Sequence, residues 1–339
     1  MVEDQRSQAL LQDTFGRSIR YLRLSITERC NLRCCYCRSA TGVRYQTEDD
    51  LLTTDETIRL VRLFVDLGVR RVRLTGGEPL MHRAIIALAR AITALPNLEE
   101  LSLSTNAILL ARHAAALREA GVQRVNISLD SLNDATFATI TRGGILQDAL
   151  AGINAALQHG FHPVKINMVV MRGINDHEVG DMVFFAHQKG VVLRFIETMP
   201  IGEEGLEVVN RLVPADEILE RIRHHFGSEL HPVNKSTSGV GPARYFSLSG
   251  NGVDFGLISA LSQHFCDTCN RVRLTARGAL VLCLGQNDWV DLKTPLRSGW
   301  NDQELKGLLL KAIQDKPMRH HFGEVTTHHP GHYMVALGG

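Results

Sequence analysis

Cys30, Cys34 and Cys37 stand in one short stretch, Cys30-Asn31-Leu32-Arg33-Cys34-Cys35-Tyr36-Cys37, with the spacing C-x-x-x-C-x-x-C. Three thiolates on one loop hold three irons of a cubane cluster and leave the fourth iron without a protein ligand. An open iron can chelate a small molecule, and a low-potential cluster can pass it one electron. A cluster used only for storage or relay is closed by a fourth cysteine. The spacing therefore predicts an iron–sulfur site that performs chemistry. Cys35 adjoins Cys34, and neighbouring side chains on an extended loop point apart. Cys35 reads as a packed small apolar residue instead of a ligand.

A second set follows far along the chain: Cys266-Asp267-Thr268-Cys269, then Cys283. It again supplies three thiolates. The competing reading is a structural zinc site, which closes at four ligands, with His264 or one of the late histidines as the fourth. Seven cysteines in two tight groups argue against a disulfide framework. A chain of 339 residues also builds a core without such staples.

Basic residues come next. Arg23, Arg73 and Lys165 fall on predicted strands, and Arg271 and Arg273 follow Cys269 in Cys-Asn-Arg-Val-Arg. Alternation puts Arg271 and Arg273 on one face of their strand. Helices cover the outside of a parallel barrel, so cations on its strands point inward and need an anion. Several converging cations suit a polyphosphate, each charge-assisted hydrogen bond contributing about 1.5–3 kcal/mol.

Thr75-Gly76-Gly77-Glu78-Pro79 closes the second predicted strand. Glycines there let backbone approach a ligand with amides free to donate, and Glu78 is placed to accept from an amine. The plain alternative is a strand-to-helix turn. Ser128 and Asp130 end the fourth predicted strand, Met199 and Pro200 the sixth, and all share the rim where an open iron belongs. His320, His321, His328, His329 and His332 lack helix-ligand spacing and read as solvated tail residues. The terminal Leu337-Gly338-Gly339 reads as a frayed end.

These groups need a scaffold. Strands are predicted at Tyr21–Thr27, Val69–Thr75, Leu98–Thr105, Gln123–Leu129, Val164–Val170 and Val191–Glu197, with amphipathic helical stretches between. In the first such stretch Thr53 and Glu56 fit a capping box, and Gly68 marks its end. Repeated strand–helix units imply a parallel sheet with right-handed crossovers. About six units fall short of the eight of a closed barrel. The expected class is thus α/β, a partial, open parallel β/α barrel with its site at the C-terminal strand ends. After the connector Gly202-Glu203-Glu204-Gly205 the pattern changes. Pro214–Phe226 reads as a helix, Val233–Pro242 as a loop, and Arg271–Ala276 with Ala279–Leu284 as a hairpin turning at Arg277-Gly278. The expected organisation is a barrel over residues 1–205 and a smaller C-terminal α+β domain, 206–339, covering the opening. A net charge of +1 and ordinary composition point to neither nucleic acid nor membrane. No apolar run approaches a bilayer span, and no secretory h-region opens the chain, so the expected compartment is the cytoplasm.

The first cysteine motif together with Gly-Gly-Glu-Pro resembles the radical S-adenosylmethionine superfamily. Phe-Cys-x-x-Cys-Asn-Arg-x-Arg-Leu-Thr from Phe265 to Thr275, the later Cys283 and the terminal Gly-Gly narrow the resemblance to the GTP 3′,8-cyclase family of molybdenum-cofactor biosynthesis, over about Phe15 to Gly339. The resemblance implies a lyase that converts GTP to (8S)-3′,8-cyclo-7,8-dihydroguanosine 5′-triphosphate, using S-adenosylmethionine and two 4Fe–4S clusters. It assigns Cys30, Cys34 and Cys37 to the first cluster and Cys266, Cys269 and Cys283 to the second. It assigns Tyr36, Gly77, Ser128 and Met199 to S-adenosylmethionine, and Arg23, Arg73, Ser104, Lys165, Arg271, Val272 and Arg273 to GTP. Arg271, Arg273, Gly338 and Gly339 become catalytic, which replaces the frayed end with a tail that reaches the active site. It further implies a flavodoxin- or ferredoxin-like one-electron reductant, product hand-over to cyclic pyranopterin monophosphate synthase, and a homodimer. Rival readings are a radical S-adenosylmethionine peptide maturase with an auxiliary cluster, and a zinc-binding module. The chain departs from the family at Ser104 (commonly Thr), Ala107 (commonly Gly), Arg38-Ser39 (commonly Met-Pro) and Cys35 (not cysteine).

Overall fold

The computed structural model describes residues 10–37, 50–201, 208–234, 241–249, 252–322 and 334–338. The connector at 202–205, Arg38-Ser39, His328, His329, His332, Gly339 and part of the loop at 233–242 lie outside them. Six parallel strands come first: β1 (Tyr21–Ser25), β2 (Arg71–Thr75), β3 (Glu100–Thr105), β4 (Arg124–Ser128), β5 (Val164–Val170) and β6 (Val192–Glu197). Each begins and ends within two residues of its predicted bounds. Helices α1 (Thr54–Asp66), α2 (Ile85–Thr93), α3 (Leu110–Glu119), α4 (Asp134–Thr141), α5 (Leu146–Gln158) and α6 (Val179–Lys189) connect them.

The local logic is visible at α1. The Thr53 amide donates to Glu56 Oε2 at 2.8 Å and the Glu56 amide to Thr53 Oγ1 at 3.2 Å, the reciprocal pair that the sequence predicts. Gly68 follows the helix with φ of 105°, a left-handed conformation that favours glycine.

The second part supplies α7 (Ala215–Phe226), β7 (Leu230–Val233), β8 (Arg244–Leu248), β9 (Asp254–Ile258), β10 (Arg271–Leu274), β11 (Ala279–Val281), β12 (Trp289–Asp291), α8 (Lys293–Arg297), α9 (Asp302–Gln314) and α10 (Met334–Leu337). Its strands join the same sheet. β10 pairs parallel with β1, and β9 pairs parallel with β6. β11–β12 and β8–β7 continue antiparallel outside them, giving the open order β12-β11-β10-β1-β2-β3-β4-β5-β6-β9-β8-β7 among the described residues. The predicted hairpin is β10–β11.

Alternation divides the two faces of the sheet. Leu22, Leu24, Val72, Leu74, Leu101, Leu103, Val125 and Ile127 are at most 1% exposed and belong to the main hydrophobic core. The alternate residues, among them Arg23, Arg73, Ser104 and Lys165, line a cavity on the other face. Among the described residues no helix is long and apolar enough to cross a membrane.

Candidate active site

Register builds the basic wall. Arg273 on β10, Arg23 on β1 and Arg73 on β2 are directly paired across three neighbouring strands. Two residues earlier, Arg271 lies beside Tyr21, and Tyr21 beside Arg71. Ser104 pairs with Asn126, and Asn126 with Lys165. Val272 falls between the two arginines with its side chain in the hydrophobic core.

Together nine Arg and Lys side chains and three carboxylates line a cavity of about 340 Å³. Burial pushes the Arg23 guanidinium well below its ordinary value, and Arg273 and Arg73 push it further. Burial and then Arg271 bring Arg273 to about 10. Lys165 falls to about 7, through burial first and then Arg194, Arg124 and Arg73. So many cations in a low-dielectric site call for an anion of several charges.

The carboxylates do not supply it, because each is engaged by protein donors. Glu78 accepts from Thr105 Oγ1 at 2.7 Å, the Asn106 amide at 2.8 Å and the Leu80 amide at 3.1 Å. Burial nevertheless raises it to about 7. Asp130 accepts from Tyr36 Oη at 2.6 Å and the Val169 amide at 2.8 Å. Glu197 accepts from the amides of Ala215, Leu261 and Ser262 at 2.9–3.1 Å. It thereby joins the end of β6 to α7 and to the segment that leads into Cys266.

All seven cysteines are free thiols, and six of them line this one cavity. Cys35 is the exception. Its Sγ lies 3.9 Å from Met171 Sδ, in a small cluster with Ile140 and Val208. The first loop rests on the glycines after β2. The Gly77 amide donates to the Thr27 carbonyl and the Glu78 amide to the Arg29 carbonyl, each at 2.7 Å. These two amides are therefore not free for a ligand, contrary to the expectation from sequence. A Cβ on Gly77 would lie 2.3 Å from the Arg29 carbonyl oxygen, so the glycine serves a close approach of two backbones. From the C-terminal hairpin, Arg277 grips Glu28 at 2.5 and 2.7 Å, two residues before Cys30.

Cations surround the second set. Burial alone would raise the Cys269 thiol, but Lys316 and Arg271 outweigh it and bring the group to about 7. His320 is half-buried, lines the cavity and lies 4.6 Å from the Phe322 ring, centroid to centroid, so it is not a solvated tail residue. His321 is exposed, as expected.

Leu337 and Gly338 are not frayed. Val335, Leu337 and Gly338 are buried. Arg273 Nη1 donates to the Leu337 carbonyl at 2.9 Å and Arg23 Nη2 to the Gly338 carbonyl at 2.7 Å. Gly338 has φ of 80°, and a Cβ on it would lie 2.1 Å from Thr75 Oγ1.

The donor set fits the clusters and small molecules that the sequence implies. Two groups of three free thiols share one cavity with a polycationic wall. Tyr21 Oη, Thr75 Oγ1, Arg124 Nε and Thr198 Oγ1, all on lining residues, are buried with no protein partner. They await a polar ligand. Tyr36, Gly77, Ser128 and Met199 line the same cavity as the two cysteine sets. Among the described residues no three His, Cys, Asp or Glu groups converge as ligands of a single ion.

Sequence reasoning missed Arg124, Arg194 and Lys316. Arg194 Nη2 donates to Asn126 Oδ1 at 2.7 Å, and burial brings its guanidinium to about 10. The rule that singled out Lys165, a cation on a covered parallel strand, applies equally to Arg124 and Arg194. Lys316 follows a helix, and the sequence carries no sign of its place.

Residues 24–186 match the Radical SAM superfamily, and residues 191–322 match Molybdenum Cofactor Synthesis C. The chain is 48% identical over 330 residues to the GTP 3′,8-cyclase of Hydrogenovibrio crunogenus, covering 97% of this chain and 99% of that one. It is 44% identical over 314 residues to the GTP 3′,8-cyclase of Pelotomaculum thermopropionicum, covering 93% and 96%. Among solved structures, Streptococcus suis SuiB bound to precursor peptide SuiA superposes with a TM-score of 0.61 at 14% identity, over 88% of this chain and 65% of SuiB. That likeness concerns the fold.

Proposed function

The chain belongs to the GTP 3′,8-cyclase family of the radical S-adenosylmethionine superfamily, and from that premise we propose how its own residues divide the work. It is a lyase of molybdenum-cofactor biosynthesis that cyclises GTP, with S-adenosylmethionine and two 4Fe–4S clusters as cofactors. When bound, these cofactors supply the one-electron radical chemistry.

Cys30, Cys34 and Cys37 hold the first cluster, and Tyr36, Gly77, Ser128 and Met199 form the S-adenosylmethionine wall beside it. Cys266, Cys269 and Cys283 hold the second. Arg23, Arg73, Ser104, Lys165, Arg271, Val272 and Arg273 form the nucleotide site. Their charges bind the triphosphate in a setting where each contact is stronger than in water. Arg271, Arg273 and the Gly338-Gly339 tail act at the reacting end. The apolar packing of Met199, Ile201, Val281 and Leu337 excludes water there. Residues 1–205 thus carry the radical-generating half, and residues 206–339 the second cluster and the tail.

A flavodoxin- or ferredoxin-like donor supplies the electron, cyclic pyranopterin monophosphate synthase takes the product, and the enzyme works as a cytoplasmic homodimer. The observation that carries the reading is the meeting of six thiols and nine cations around one cavity. Anaerobic reconstitution with GTP, S-adenosylmethionine and a chemical reductant, followed by product analysis, tests it. The expected result is one cyclised nucleotide for each 5′-deoxyadenosine. Deoxyadenosine without an altered nucleotide would contradict the substrate assignment.

A further inference from the structure

Lys316 follows α9 and is 2% exposed. Its Nζ donates to the Leu282 carbonyl at 2.5 Å, and Leu282 immediately precedes Cys283. Arg17 acts on the other cysteine segment. Its guanidinium donates to the Cys266 carbonyl at 2.9 Å and to the carbonyls of Pro317 and Met318 at 2.6 and 2.8 Å. Two buried cations therefore fasten residues 316–318 to both segments that carry the second cysteine set.

The two cations differ in their counter-charge. Arg17 pairs with the buried carboxylate of Asp13 at 2.5 Å. Among the described residues Lys316 has no carboxylate partner, and the charged groups acting on it are Cys269, Cys283, Arg17 and Arg271. An ammonium sealed from water without a counter-charge is costly. The thiols of Cys269 and Cys283, which line the same cavity, are the groups able to balance it. A cubane on three thiolates is anionic, and its reduction adds a further negative charge. A fixed cation beside it in a low dielectric favours the reduced form and raises the potential.

We propose that Lys316 is a positioning and charge-balancing residue of the second cluster, its ammonium held by the Leu282 carbonyl next to Cys283, at the cavity that the thiols of Cys269 and Cys283 also line. The inference rests on the reading that this cysteine set holds a cluster. It assigns Lys316 to tuning that cluster and not to binding the triphosphate.

The test uses the full chain with Cys30, Cys34 and Cys37 each changed to Ala, so that only the second cluster contributes to the spectrum. After anaerobic reconstitution, iron, sulfide and the midpoint potential from an EPR-monitored titration are compared for Lys316 and for Lys316→Met, Lys316→Gln and Lys316→Arg. The expected result is a more negative midpoint in the Met and Gln variants and a nearly unchanged one in Arg. Gln keeps a donor for the Leu282 carbonyl, so its shift reads the charge. Cluster loading lost in Met and Gln but restored in Arg supports the same requirement. A loaded cluster with an unmoved potential in Met and Gln overturns the inference alone. So does a rise in KM for GTP, measured in the enzyme with all its cysteines, without a change in potential. A background that takes up no iron overturns the cluster reading, and the inference falls with it.

Discussion

The loop bearing Cys30, Cys34 and Cys37 is held by backbone and acidic groups, whereas the segments bearing Cys266, Cys269 and Cys283 are held by cations. On the first side, Gly77 and Glu78 bond to the loop backbone, Tyr36 is tied to Asp130, and Glu28 receives Arg277. Burial pushes the Cys34 thiol well up, and Cys37 and Asp130 push it further. On the second side, Lys316 and Arg271 draw Cys269 down to about 7 against its burial. Net charge around a cluster is one of the main settings of its potential. A cluster held in the first environment would resist the extra electron and so be the stronger reductant, as cleavage of a sulfonium requires. The second welcomes negative charge and sits against the arginine row. Equal thiol numbers would thus serve different tasks because their surroundings differ.

The comparison breaks most sharply at Gly77. Gly77→Ala forces a Cβ to within 2.3 Å of the Arg29 carbonyl, which supports only the first loop. Overpacking of this kind costs roughly 1–3 kcal/mol or more. The expected outcome is loss of about half the iron, loss of activity, and an intact second cluster by EPR. Loss of both clusters would show that the loops are not independent.

Arg23→Ala should leave iron content unchanged and lower kcat/KM for GTP by roughly tenfold to a hundredfold, as expected for one charge-assisted contact to phosphate. A weaker response from GTP than from guanosine would contradict the cradle.

The thiols themselves sharpen the contrast in cluster-free, reduced protein. Peptide mapping after brief alkylation at pH 7 should find Cys269 modified well ahead of Cys34. The thiolate is the reactive form, and a group at about 7 is half ionised there. Lowering the pH to 6 protonates Cys269 and should slow it roughly fivefold, with little change at Cys34.

Much of this was legible in the sequence because its signals are local. The capping box at Thr53 and Glu56, the six strand bounds and the hairpin at Gly278 depend on near neighbours. The cysteine spacings and strand-borne cations carry chemistry by their types alone. What was not legible depends on long-range partners. Gly77 and Glu78 look like ligand groups in sequence, but their amides bond to Thr27 and Arg29, about fifty residues earlier. Lys316 acquires its place only when α9 returns the chain to Leu282. The joining of β9 and β10 to opposite edges of the first sheet is likewise a matter of pairing, which alternation alone does not specify.

The smallest effect lies at Ala107. The residue is fully buried with φ of 64°, a conformation costly for alanine. Ala107→Gly should raise stability by about 1 kcal/mol or less, because relieved strain exceeds the added freedom of the unfolded chain. Thermal unfolding of both forms measures it.

The most direct measurement is anaerobic iron and sulfide quantitation on the wild-type chain and on Cys30→Ala and Cys266→Ala. The account predicts about eight irons per chain in the first and about four in each variant, with cyclisation lost in both. Four irons in the wild type, or zinc in place of iron at either set, would contradict it.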